Sequence, residues 1–64
     1  MTNLKKMRTK AGITQASLSK RTGVNLRTLQ GYEQGRDSIN MAAAITVLRI
    51  AQALGCTVED LLEN

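Results

Sequence analysis

Apolar positions along the chain recur at helical spacing, in short runs separated by glycine. The first predicted helix runs from about Asn3 to Ala11, capped by Thr2 or Asn3, with Leu4 and Met7 on one face and Gly12 at its end. Thr14 caps a second, about Gln15 to Thr22, which turns Leu18 inward and stops at Gly23. Asn25 caps a third, about Leu26 to Gln34, which buries Leu29 and Tyr32 and stops at Gly35. A loop from Arg36 to Ile39 leads to Asn40, read as the cap of the longest helix, about Met41 to Leu54, closed by Gly55. Thr57-Val58-Glu59-Asp60 sets an acid three residues after a threonine, a capping-box-like start. It predicts a last helix, Val58 to Glu63, that returns Val58, Leu61 and Leu62 to the core. No alternation of period two competes, so the predicted fold is all-α with five helices.

The fourth predicted helix carries two apolar stripes. Ala44, Val47, Ala51 and Leu54 make one, and Met41, Ile45 and Leu48 make another, displaced around the helix. A short helix in a small protein rarely has two faces to bury. The second stripe, with Leu62, is therefore the candidate surface for a second subunit, unless Leu48 belongs to the core and the others are merely half-exposed.

Composition narrows the class. The chain has 64 residues, 42% of them apolar, and Tyr32 is its only aromatic residue, so the core must be aliphatic. That length predicts one domain over residues 1–64, with no room for a separate catalytic unit. The net charge of +4 is unevenly spread: Lys5, Lys6, Arg8, Lys10, Lys20, Arg21 and Arg27 precede any acid, and all five acids lie from Glu33 onward. An acid-free half-chain suits a polyanion, although a solvated lysine-rich surface has the same composition. Cys56 is the single cysteine and there is no histidine. An internal disulfide is excluded and a zinc site is not expected, which fits a reducing, cytoplasmic setting. No apolar run follows Lys5 and Lys6, and none approaches the ~20 residues that cross a membrane, so neither a signal peptide nor a membrane partner is expected. The hydroxyl side chains have no histidine to activate them, so no catalytic residues are expected; no cofactor is expected and no small-molecule effector is evident in the sequence.

The segment from Thr14 to Gly35 holds the strongest pattern: two helices joined by a short glycine-containing turn, a helix-turn-helix unit. Leu18, Val24, Leu29 and Tyr32 can wedge the helices apart at a fixed angle, Ala16 and Ser19 are small enough for close approach, and Gly23 sits at the reversal. With those positions buried, the third helix turns Arg27, Thr28, Gln30 and Gly31 outward. Arginine and glutamine can make bidentate contacts to guanine and adenine edges in the major groove. Gly31 lets a backbone approach a base, at a helix cost of roughly 1 kcal/mol.

The run Thr14-Gln15-Ala16-Ser17-Leu18-Ser19-Lys20-Arg21-Thr22-Gly23-Val24 resembles the Cro-repressor-type, or xenobiotic-response-element, helix-turn-helix family. The resemblance continues through Leu29, Tyr32-Glu33-Gln34-Gly35 and Ile50-Ala51-Gln52-Ala53-Leu54-Gly55, and spans Leu4 to Leu62. It implies a lambda-repressor-like DNA-binding domain and a sequence-specific transcriptional regulator acting on double-stranded operator DNA. So short a chain has little surface for recruiting polymerase, which points to a repressor, and a single recognition helix binds too weakly alone, which points to a homodimer. Carried over by match, Gln15 would hold a phosphate at a helix N-terminus. Leu26, Arg27, Gln30 and Gly31 fall on the base-reading positions, with Thr28 and the capping Asn25 beside them. Gln34 and Arg36 fall on the phosphate-contacting loop. Arg8 and Glu33 match a pair that ties the first helix to the third. Three departures stand out: Ser17 replaces a frequent capping acid, Leu26 and Gly31 carry no side-chain donor, and the stretch from Arg36 to Ala44 is longer than the usual loop. The antitoxin of a toxin–antitoxin pair, or a protein-interaction module on the same fold, remain alternatives.

Overall fold

The first three helices begin and end where their capping chemistry predicts. The computed structural model describes all residues 1–64 and contains α1 (Asn3–Ala11), α2 (Gln15–Thr22), α3 (Leu26–Gln34), a 3₁₀ turn at Ile39–Met41, and α4 (Ala44–Leu54), with no strand. Thr2 caps α1 by accepting the Lys5 N–H at 3.4 Å, Thr14 caps α2 by accepting the Ser17 N–H at 3.1 Å, and Asn25 caps α3 by accepting the Arg27 N–H at 2.8 Å.

Five side chains are completely enclosed, one from each α-helix and one from the C-terminal turn: Leu4, Leu18, Leu29, Ile50 and Leu61. Ile39, Val47 and Ala51 complete the core, with Met7, Val24 and Tyr32 partly buried against it. Burying one such aliphatic side chain is worth about 1.5–3 kcal/mol, a large share of what a domain this small can hold in reserve. Ile50, unassigned in the helical stripe read from sequence, is at its centre, whereas Ala44 is exposed.

Two predicted elements are corrected. There are four α-helices, not five. Residues 57–63 do begin as the capping box predicts, since Thr57 and Asp60 exchange backbone-to-side-chain hydrogen bonds at 3.0 and 3.2 Å. The bonds from the Thr57 backbone and then its side chain hold the Asp60 carboxyl below its ordinary range. Only i→i+3 bonds follow, from Asp60 N–H to Thr57 C=O and from Leu61 N–H to Val58 C=O. The helix stops there because its next groups have tertiary partners: Glu63 N–H donates to Asn40 Oδ1 at 2.8 Å, and Leu62 C=O accepts from Asn3 Nδ2 at 2.7 Å. The same asparagine explains the second correction. Asn40 pairs with both backbone groups of Glu63 instead of capping a helix, and α4 starts at Ala44 after extended residues Ala42 and Ala43, with no side-chain cap. Met41 therefore stands on the 3₁₀ turn rather than on α4.

Candidate nucleic-acid interface

The turn between α2 and α3 is held by two hydroxyls. Ser19 Oγ donates to Val24 C=O at 2.6 Å, while Thr22 Oγ1 donates to Leu18 C=O at 2.7 Å and accepts the Val24 N–H at 3.1 Å. Gly23, at φ 74°, reverses the chain between them. Ser19 thus acts through its hydroxyl as well as its size, and Ala16 is exposed rather than at a close helix contact. Thr22 is buried and was not singled out in the sequence; its only local signal is a threonine placed to bond back one helical turn.

Behind α3 lies a charged network that fixes its position. Arg8 grips Glu33 with two bonds, Nε to Oε2 at 2.6 Å and Nη2 to Oε1 at 3.0 Å, and its Nη1 donates to Ile13 C=O at 2.9 Å. The hydrogen bond to Glu33 keeps the Arg8 guanidinium above its ordinary pKa, against the opposing pull of burial. Gln15 Nε2 adds a bond to Glu33 Oε1 at 3.2 Å, so one buried carboxylate joins α1, α2 and α3. Gln15 is thus already anchored, with one amide N–H used inside the protein and a second available.

The other sequence-derived DNA residues divide into two groups. Asn25, Arg27, Thr28 and Arg36 meet in a polar cleft of about 340 Å³ at the start of α3, whose remaining wall is Asp37. Arg36 folds back on α3, with Nη2 3.4 Å from Arg27 C=O and Nη1 3.5 Å from Gln34 Oε1. Leu26 and Gln34 are exposed, and Gln30 is half-buried, along the same helix but outside that cleft. Gly31 is buried: a Cβ there would collide with the Asp37 carboxylate and lie 2.9 Å from Arg36 Nη2. The close approach that its missing side chain permits is made here by the protein's own loop. Asp37 itself escaped the sequence reading; the available signal was an acid directly after Arg36.

On the far part of the chain, Ile45, Leu48 and Leu62 line an apolar groove of about 520 Å³ with Ile39, Ala42 and Val47 among its walls. Met41, 85% exposed, stands outside its lining. The Cys56 thiol is half-buried and pushed up by that burial and then by Asp60, the opposite of an activated thiolate. No helix is long and apolar enough to cross a membrane.

A helix-turn-helix family model, of the Cro/C1 type, matches residues 4–61. Neither a curated protein nor a solved structure matches the chain.

Proposed function

The chain belongs to the Cro/C1-type helix-turn-helix family of DNA-binding transcription regulators, and on that premise we propose that it is a repressor reading operator DNA with α3. The observation that carries this reading is the arrangement at the start of α3. Arg27, Thr28 and Arg36 converge on one polar cleft, while the only acid on α3, Glu33, is turned inward and neutralised by Arg8. The helix itself therefore turns no acid outward, and Arg27 is its exposed cation. Arg27 and Gln30 are the base readers, since each can form a bidentate contact in the major groove. Gln15, with its remaining amide N–H at the start of α2, and Arg36 and Gln34 in the following loop, hold phosphates. Leu26 and Asn25 shape the approach of the helix, while Gly31 admits the Arg36–Asp37 loop that sits against it. The 64 residues act as one domain, and two copies bind a near-palindromic site through Met41, Ile45, Leu48 and Leu62.

The test is a binding titration at several salt concentrations, on sites selected from a random DNA pool. Affinity should fall with salt at a slope of about −0.9 per phosphate contacted. Arg27→Ala and Gln30→Ala should each lose roughly 1–3 kcal/mol of discrimination with the fold intact. Gln15→Ala should weaken all sequences about equally. Affinity independent of salt would reject DNA as the ligand, and an unchanged preferred site in Arg27→Ala would reject this reading face.

A further inference from the structure

We propose that Asp37, in the cleft that Asn25, Arg27, Thr28 and Arg36 line and where Arg36 meets a backbone phosphate, is an internal counter-anion that lowers affinity for duplex DNA of any sequence. The inference rests on the DNA-binding reading of α3 and concerns how that surface is restrained.

Three observations place the carboxylate there. The Asp37 N–H donates to Gly31 C=O at 3.1 Å, so the backbone of the loop is fastened to α3 rather than hanging free of it. The Asp37 side chain then lies over Gly31, in space that the Cβ of any other residue would enter. Arg36 Nε is 3.8 Å from Asp37 Oδ2, while the same guanidinium reaches Arg27 C=O in the first turn of α3. Loop and helix thus set Asp37 in the same cleft as Arg27 and Arg36, with Arg36 the arginine that pairs with the carboxylate.

The distribution of acids makes this position unusual within the chain. No acid precedes Glu33, which is buried against Arg8, and Glu59, Asp60 and Glu63 belong to the C-terminal turn. Asp37 is the one acid exposed beside the reading helix. An isolated surface pair of this geometry contributes little to folding, because both side chains are about half exposed. Its effect falls on binding. A phosphate entering the cleft meets a like charge and an arginine whose field is already partly cancelled. The duplex must displace the carboxylate or bind beside it, and in either case one cation contributes less than its full charge to counterion release.

The test compares the wild-type protein with Asp37→Asn and Glu59→Gln on a short labelled duplex of arbitrary sequence, by anisotropy across a range of salt. Both variants change the net charge equally, but only Asp37→Asn frees the cleft while keeping the side chain's shape. Asp37→Asn is expected to bind about threefold to tenfold more tightly at low salt, with a salt slope steeper by about 0.9, one further phosphate. Glu59→Gln should change affinity less than twofold. Equal gains in both variants would overturn the proposal in favour of net charge alone. Unchanged binding by Asp37→Asn, or weaker binding, would overturn it too, the latter making Asp37 a DNA contact. If the wild-type protein itself shows no salt-dependent binding, it is the DNA reading that fails.

Discussion

At Gly23 the backbone stands at φ 74°, a conformation in which any Cβ is strained even though nothing lies within 4 Å of it. At Gly31 the backbone is helical and the space is filled, but by the ends of two exposed side chains. Alanine should therefore act oppositely at the two positions. Gly23→Ala is expected to cost about 1 kcal/mol, the left-handed penalty for an L-residue. Gly31→Ala should cost nothing and stabilise by up to about 1 kcal/mol, because helix propensity improves while Asp37 and Arg36 can swing aside. Urea denaturation of both variants checks the sign, and a destabilised Gly31→Ala would mean that the loop cannot yield.

Among the elements, the C-terminal turn depends most on a single distant residue. Helix signals are present in Thr57 to Asp60, yet the turn is too short to propagate and takes its remaining bonds from Asn40 and Asn3. Asn40→Ala would leave the Glu63 N–H and C=O without their protein partners. A loss of about 1–2 kcal/mol is expected, since each net hydrogen bond is worth about 1 kcal/mol. Amide exchange should localise the effect: the Glu63 amide should exchange faster, while those of α2 and α3 keep their relative protection. Because Asn40, Val58 and Leu62 also line the apolar groove, the variant should loosen that groove without disturbing the α3 cleft.

For the whole molecule, size constrains the assembly. The accessible surface is 4088 Å², so a standard interface of about 800 Å² per partner would occupy about a fifth of it. Such an interface draws on about 20–30 residues a side, whereas the proposed face offers only Met41, Ile45, Leu48 and Leu62 as exposed large apolar residues, with the groove beside them. A weak dimer is expected, monomeric at low micromolar concentration and completed on DNA. Cα extents of 24 × 23 × 21 Å suit that geometry: two touching modules need only a modest outward offset of each α3 to reach the roughly 34 Å of one DNA turn. Sedimentation should show the free monomer, and operator binding should be cooperative. Ile45→Asp should abolish the cooperativity while leaving single-site affinity intact; cooperativity that survives this substitution would exclude the proposed face.

Local chemistry in the sequence was enough for the helix-turn-helix. Caps and glycine stops set the ends of α1, α2 and α3 within the same few residues that they bond, and the side chains of Leu4, Leu18 and Leu29 follow from helical period alone. The Arg8–Glu33 tie was also readable, through the order of motifs that fits the family match. What required the folded chain were groups with a choice of partners. Asn40 and Thr57 are both good caps, but Asn40 found Glu63 and the last helix ended after one turn. Gly31 offered an open backbone, and whether a base or the protein's own loop takes that space depends on Asp37, six residues on in sequence and over it in space. Capping and periodicity are decided within one or two turns of chain, so sequence encodes them directly. Competition among polar groups far apart in sequence is decided only when the core brings them within bonding distance.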